Sequence, residues 1–236
     1  MTKAKNRLKS WLQYFSKKEW ALWGVSVIFI LISFFVFDRK SFMTLPASLI
    51  GVTSLIFNAK GNPIGQALMI VFSILYGIIS YSYAYYGEMI TYLGMSMPMA
   101  AIALISWLKH PYKGKRSQVE IGSVKGVEQV FMWVLTAVVT AVFYFILKYL
   151  KTANPVFSTV SVTTSFLAVY LTFRRSPYYA IGYAANDIVL IILWTLAALQ
   201  NVQYISVVVC FLTFLANDIY GFVSWKRMSV RQSLPN

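Results

Sequence analysis

The chain has 236 residues, of which 58% are hydrophobic and 12% are charged, and its formal net charge is +14. Because soluble domains carry about 25% charged residues, this composition predicts an integral membrane protein in a lipid bilayer and excludes a soluble enzyme, a disordered chain and a disulfide-rich secreted module. The positive charges lie between apolar runs rather than on one folded face, so we expect no nucleic-acid partner. The single cysteine, Cys210, and the single histidine, His110, support neither a disulfide framework nor a histidine-based zinc site, and we expect no cofactor or metal.

The predicted elements begin with an amphipathic segment, residues 1–19, whose pattern is typical of a helix in the membrane interface. Its apolar face holds Leu8, Trp11, Leu12 and Phe15. Eight apolar segments follow, and each is close to the roughly 20 residues that a helix needs to cross a bilayer. The predicted spans are 20–37, 42–57, 63–84, 89–108, 127–150, 155–173, 178–200 and 203–225. The second span is short and contains Pro46, so we expect it to be tilted or partly irregular.

The basic residues predict the orientation of these spans. If the N-terminus is cytoplasmic, 17 of the 21 Lys and Arg residues lie on the cytoplasmic side. Membrane proteins carry such an excess of Lys and Arg in their cytoplasmic loops. We therefore predict that both termini are cytoplasmic and that the number of spans is even.

Matching segments in the two halves of the chain indicate an internal repeat. The segment from Gly51 to Leu55 resembles the segment from Val162 to Phe166. A proline opens the next span in each half, and each third span closes on Ser-Trp. The corresponding residues are Pro63 and Pro177, Ser106 and Ser224, and Trp107 and Trp225.

The repeat predicts an all-α membrane protein of eight helices. Two parallel three-helix repeats are joined by a linking helix and preceded by an extra N-terminal helix. The expected units are 1–41 (amphipathic segment and extra helix), 42–108 (first repeat), 109–150 (basic loop and linking helix), 151–227 (second repeat) and 228–236 (tail).

Two acidic residues, Asp187 and Asp218, lie well inside predicted spans, and each follows an asparagine, Asn186 or Asn217. Glu88, in contrast, is expected in an outer loop. At 1.5 Å per residue, the two Asn-Asp pairs lie at a similar depth near the middle of the membrane. No Lys or Arg lies within these two spans. An ionisable residue inside a membrane is a candidate functional site. The alternative is that these residues only form hydrogen bonds between helices and hold the bundle together.

Helical spacing adds aromatic rings to the first pair. Tyr183, Asn186, Asp187 and Trp194 follow the i, i+3, i+4 and i+11 positions of one helix face. Gln129, near the start of the fifth span, is a weaker candidate for a polar wall. The sequence therefore predicts a ligand cavity lined by a carboxylate, an amide and aromatic rings.

Two segments carry a resemblance to a known family. They are Tyr183-Ala-Ala-Asn186-Asp187-Ile-Val-Leu-Ile-Ile-Leu-Trp194 and Leu212-Thr-Phe-Leu-Ala-Asn217-Asp218, with Trp225 after the second. Over residues 45–227 the chain resembles the PnuC family of bacterial vitamin transporters, which shares its 3+1+3 plan with SWEET-type sugar transporters. The resemblance implies uptake of nicotinamide riboside across the inner membrane by facilitated diffusion. It also implies a cytoplasmic ribosylnicotinamide kinase that traps the cargo as a phosphate, and a homotrimer.

The chemistry of this cargo fits the candidate residues. Nicotinamide riboside has a cationic ring, a carboxamide and a ribose diol, which suit an aromatic face, an Asn or Gln amide and a carboxylate. The residues that we expect to contact it are Asn186, Asp187, Trp194, Asn217 and Asp218, with Gln129 and Tyr183 as second choices. Because the predicted cavity holds acidic groups and no basic partner, we expect phosphorylated cargo to be rejected.

Other functions remain open from the sequence alone. A relative that carries thiamine or another flat-ring vitamin would use the same fold. A membrane-embedded enzyme could use Asp187 and Asp218, although no metalloprotease, nucleotide-binding or serine-hydrolase motif is present. A structural or receptor subunit, in which the polar pairs only pack, is the third alternative.

Overall fold

The computed structural model describes residues 14–39, 42–82, 85–152 and 154–234, so most of the amphipathic segment predicted for residues 1–19 lies outside the described residues. The described chain is a helical bundle. Its helices are α1 (Lys17–Phe37), α2 (Thr44–Ala59), α3 (Ile64–Ser82), α4 (Tyr86–Lys109), α5 (Val127–Tyr149), α6 (Pro155–Phe173), α7 (Tyr179–Ala198) and α8 (Ile205–Ser233). Seven of these described helices are long and apolar enough to cross a membrane, and α2, with 16 residues, is the shorter one.

Helix α2 is regular along its length, because Pro46 falls in its first turn. A proline there removes an N–H group that has no partner within the helix. The expectation of irregular structure in the second span is therefore not met.

Helix α4 contains a π-helical segment, Thr91–Ser96, in which the Met97 N–H bonds to the carbonyl of Tyr92. Pro98 follows it and has no N–H for the carbonyl of Gly94, and its ring crowds that carbonyl in a regular α-helix. A wider turn relieves the conflict, and such turns are frequent at functional sites. The apolar pattern of this span gives no indication of the wider turn.

The alternating helices define two ends of the bundle. The basic end comprises residues 59–64, 109–127, 173–179 and 226–233, and the described residues of the opposite end are 37–39, 42–44, 82, 85–86, 149–152, 154–155 and 198–205. A short antiparallel hairpin, β1 (Pro111–Tyr112) and β2 (Lys115–Val119), lies at the basic end. From there the chain bonds to both neighbouring turns, through the Val119 N–H to the Gly61 carbonyl (2.8 Å) and the Gly122 N–H to the Arg175 carbonyl (2.9 Å).

The helices pack as two groups of three. Helices α2, α3 and α4 contact one another in succession, as do α6, α7 and α8, and the groups meet where α2 packs on α8 and α4 packs on α6. Helix α5 packs on α6, whereas α1 packs on α2 and α8.

Matching hydrogen bonds join the two groups at the basic end. The Trp107 indole N–H donates to the Thr172 carbonyl (2.9 Å), and the Trp225 indole N–H donates to the Asn58 carbonyl (2.7 Å). The preceding serines repeat the pattern one residue away. Their bonds run from the Ser106 hydroxyl to the Phe173 carbonyl (3.1 Å) and from the Ser224 hydroxyl to the Ala59 carbonyl (2.7 Å). The two indole rings lie 5.3 Å apart.

The outer surface of the bundle is apolar. Large side chains on α1 and α5, such as Phe29, Ile32, Phe131 and Val134, are each more than half exposed. Contact with water would cost roughly 25 cal/mol for each Å² of this surface. This surface therefore suits lipid, as expected of a membrane protein.

Candidate functional site

A small internal cavity lies between the two groups of helices, about half-way along the bundle. Its volume is about 30 Å³, which is enough for one water molecule and far below the 300–1,000 Å³ of a typical ligand pocket. Its polar wall consists of Ser96, Ser165, Tyr183, Asn186, Asp187 and Asp218. The helix packing therefore brings both predicted aspartates into one place.

Asp187 of α7 and Asp218 of α8 are buried, with exposed fractions of 4% and 3%. Their carboxyl groups face each other, because α7 and α8 are adjacent antiparallel helices and the two residues lie at matching depths. No Lys or Arg lines the cavity in the part of the chain that the structure describes. Two carboxyl groups in a cavity without a basic partner favour a positively charged ligand, whose charge they would offset.

Asn186 lies beside Asp187 and is held by α6. Its side-chain oxygen accepts hydrogen bonds from the hydroxyls of Ser161 (3.2 Å) and Thr164 (3.0 Å). These bonds fix the amide plane and leave the NH₂ group as the donor for a ligand. The cavity can therefore offer an oriented amide together with two carboxyl groups.

The rest of the cavity wall is largely aromatic. Phe72 and Tyr92 come from the first group of helices, and Phe211 and Phe214 come from the second. Phe72 lies 5.9 Å from Tyr92 and 5.4 Å from Phe214, measured between ring centroids. Gly51 lets both Phe72 and Phe214 pack against the backbone of α2. This wall suits a flat ring, and Tyr183 adds a further ring beside the aspartates.

The structure places three predicted site residues away from the cavity. Trp194 is fully buried nearer the opposite end, with its ring 4.8 Å from Tyr85 and 5.6 Å from Tyr204. Asn217 faces α1, where its NH₂ group donates to the Ser26 hydroxyl (2.9 Å). Gln129 is exposed at the start of α5. Their contacts with a cargo stay predictions.

Sequence reasoning missed several residues near the cavity. Tyr92 and Ser96 reach it from the π-helical segment of α4, whose signal in the sequence is Pro98. The expectation that Glu88 lies in an outer loop is wrong, because α4 begins at Tyr86 and Glu88 is 1% exposed. The predicted start of this span, residue 89, left Glu88 just outside the helix.

The family model described as nicotinamide mononucleotide transporter matches residues 41–227. The chain belongs to this family. Its relatives include the nicotinamide riboside transporter PnuC of Neisseria mucosa, which is 28% identical over 218 residues, covering 90% of this chain and 82% of that protein. Membership of the PnuC family, expected from the sequence, is thereby confirmed, and the family consists of transporters rather than enzymes.

A solved structure supports the fold. The crystal structure of the vitamin B3 transporter PnuC matches with a TM-score of 0.81 at 23% sequence identity, covering 93% of this chain and 94% of that chain. The prediction of a multi-pass helical membrane protein is therefore confirmed at the level of the fold.

Proposed function

We propose that the protein transports nicotinamide riboside across the bacterial inner membrane. The observation that carries the proposal is the buried cavity in which Asp187 and Asp218 face each other with no Lys or Arg in the described wall. The cationic pyridinium ring offsets these charges and stacks on the aromatic wall. Asn186 bonds to the carboxamide, and a carboxylate accepts hydrogen bonds from the ribose hydroxyls.

The same cavity favours the riboside over the mononucleotide that appears in the description of the family. A phosphate group adds a charge of about −1.5 to −2 at neutral pH. Like charges 4 Å apart repel by about 4 kcal/mol at an effective dielectric constant of 20. Because no basic side chain in the described wall compensates, the mononucleotide is a poor cargo.

The transport mechanism is alternating access between two parallel repeats, α2–α4 and α6–α8, with α5 as the linking helix and α1 as the N-terminal addition. The matching bonds of Trp107 and Trp225 support this assignment, since each joins the third helix of one group to the first helix of the other. A cavity of about 30 Å³ has to expand to hold a nucleoside. Expansion requires the two repeats to move apart at one end at a time.

Net uptake is facilitated diffusion, in which the cargo moves down its own gradient. A cytoplasmic ribosylnicotinamide kinase maintains that gradient by converting the riboside into a phosphate that the cavity rejects. The protein works as a homotrimer, as the family resemblance implies. Thiamine is the second candidate cargo, because its thiazolium ring is also a flat cation and suits the same pair of carboxyl groups.

Uptake by the purified protein in liposomes tests the proposal. Labelled nicotinamide riboside should enter until its concentrations are equal on both sides, and an internal load of unlabelled riboside should speed the exchange of label. The mononucleotide should enter at no more than about a tenth of that rate, as a difference of ~1.4 kcal/mol produces. Protein-free liposomes are the control. Faster uptake of thiamine would change the cargo, equal uptake of the mononucleotide would contradict the role of the aspartates, and accumulation above the external concentration would contradict facilitated diffusion.

A further inference from the structure

Glu88 is a buried carboxylate that the proposed cargo site does not use. It lies in the first turn of α4 near the opposite end and is 1% exposed, and neither of its oxygens lies at normal hydrogen-bond distance and angle from a partner among the described residues. The ion pairs that the described residues form, Lys60 with Glu19 and Arg174 with Glu128, both lie at the basic end. A carboxylate without such a partner inside a membrane protein is costly, which makes it a candidate functional group.

Tight packing keeps Glu88 in this position. A Cβ atom on the neighbouring Gly87 would lie 2.6 Å from the Leu147 side chain of α5 and 3.1 Å from that of Thr152. The first turn of α4 is therefore wedged against α5 and the following turn. The Glu88 side chain is held in the bundle interior instead of reaching the surface.

Three tyrosines, Tyr76, Tyr85 and Tyr92, lie within electrostatic range of the Glu88 carboxylate. The rings of Tyr76 and Tyr92 lie 4.4 Å apart, and that of Tyr85 lies 4.8 Å from Trp194. A carboxylate near several aromatic rings is a combination that suits flat or quaternary organic cations.

Polar groups connect Glu88 with the central cavity. The Ser161 hydroxyl is a neighbour of the Glu88 carboxyl group, and it donates to the Asn186 oxygen at the cavity wall (3.2 Å). Tyr92, one helical turn after Glu88, lines the cavity itself. Glu88 therefore lies between the central cavity and the opposite end of the bundle.

We propose that Glu88, with Tyr76, Tyr85 and Tyr92, forms a second recognition site for an organic cation, on the path between the opposite end and the central cavity. This inference rests on the proposed function and adds a determinant of cargo charge to it. The cationic ring contacts Glu88 before it reaches the aspartates. A neutral molecule of the same shape gains nothing from this contact, so the site selects the cargo by its charge.

Two cargoes that differ in charge test the proposal. Nicotinamide riboside is a cation, whereas dihydronicotinamide riboside, its reduced form, is neutral and nearly equal in size. Initial uptake rates of both are measured in liposomes for the wild type, Glu88→Gln and Glu88→Asp. Glu120→Gln is the matched control, because Glu120 is exposed at the basic end.

The wild type and Glu120→Gln should prefer the cation by the same ratio. Glu88→Gln should lower that ratio by about tenfold, the size expected when a buried charge–charge contact is lost while the tyrosine rings stay in place, whereas Glu88→Asp should keep most of the preference. A purely structural role of Glu88 would slow both cargoes equally and leave the ratio unchanged, which would overturn the proposal. If Glu88→Gln does not fold, Glu88→Asp and Glu88→Asn form an isosteric pair that gives the same comparison.

The wild-type rates separate this inference from the proposed function. Wild-type uptake of nicotinamide riboside with an unchanged ratio in Glu88→Gln would contradict the role of Glu88 alone. A folded wild type that transports neither cargo would contradict both proposals.

Discussion

Asp187 and Asp218 differ from the acidic residues at the basic end in what surrounds them. Glu19 accepts from Lys60 (3.1 Å), and Glu128 accepts from the Arg174 guanidinium (2.8 Å). The two aspartates face each other across the cavity instead. Such a pair contributes little to the stability of the fold, because no opposite charge among the described residues offsets the burial of either carboxyl group. Their placement is therefore better explained by a cationic ligand.

We predict that Asp187→Asn weakens the binding of nicotinamide riboside at least about tenfold, since it removes one charge that faces the cation while keeping the shape of the side chain. The melting temperature should stay the same or rise, because a like-charge contact is also removed. Calorimetry on the detergent-purified protein measures the affinity, with the exposed residue in Glu120→Gln as the control. An unchanged affinity would exclude a role for the Asp187 charge.

Helical spacing indicates which side chains of α7 share a face. Tyr183, Asn186 and Asp187 follow this spacing, and all three line the cavity, whereas their contacts with a cargo stay predictions. Depth alone could not separate Asn217 from Asp218, because consecutive residues of a helix point about 100° apart. Asn217 points towards α1, where its side chain donates a hydrogen bond to Ser26, and Asp218 points towards the cavity. The spacing also places Trp194 on this face. Trp194 comes eleven residues after Tyr183, however, and therefore lies too far along the helix to line the cavity.

Gly182 of α7 allows helices α6 and α7 to approach each other closely. A Cβ atom on Gly182 would lie 2.8 Å from the Ala168 Cα of α6, where backbone atoms cannot give way. This close approach brings Asn186, one turn later, within reach of Ser161 and Thr164 on α6. The close packing of α6 on α7 therefore fixes the orientation of the Asn186 side chain.

We therefore predict that Gly182→Ala destabilises the protein. Overpacking of this kind costs about 1–3 kcal/mol, which exceeds or matches the gain of about 1 kcal/mol in helix propensity. Gly24→Ala in α1 is the matched control, because a Cβ atom there meets nothing within 4 Å. Thermal unfolding in detergent should show a lower melting temperature for Gly182→Ala and an equal or higher one for Gly24→Ala. Equal stability of both variants would show that α6 and α7 can separate without cost.

Apolar runs predicted the helices well, since their length and composition follow from the thickness of the bilayer. Local features of these helices were harder to predict. The π-helical segment of α4 combines Pro98 with packing against α3 and α6, and no periodicity in the sequence encodes the wider turn. The predicted span begins at residue 89, three residues after the observed start of α4. The prediction therefore assigned Glu88 to a loop, whereas the structure places it in the bundle interior.

At the scale of the whole molecule, aromatic layers lie on both sides of the cavity. Trp107, Trp225 and Tyr179 are buried towards the basic end, with the Tyr179 and Trp225 rings 4.8 Å apart. Tyr76 and Trp194 are buried towards the opposite end. In the proposed alternating access, each aromatic layer opens in turn. The predicted Ser-Trp match between the repeats corresponds to two observed pairs of hydrogen bonds, which the sequence alone could not place.

The last prediction concerns the orientation of the bundle in the membrane. The excess of Lys and Arg predicts that the basic end faces the cytoplasm. Lys115 of the hairpin and Gln200 at the opposite end are both exposed, whereas the native Cys210 is buried and serves as the unlabelled background. A membrane-impermeant maleimide added to intact cells should label Gln200→Cys but not Lys115→Cys, and it should label both after the membrane is permeabilised. Labelling of Lys115→Cys in intact cells would reverse the orientation, and the site around Glu88 would then face the cytoplasm.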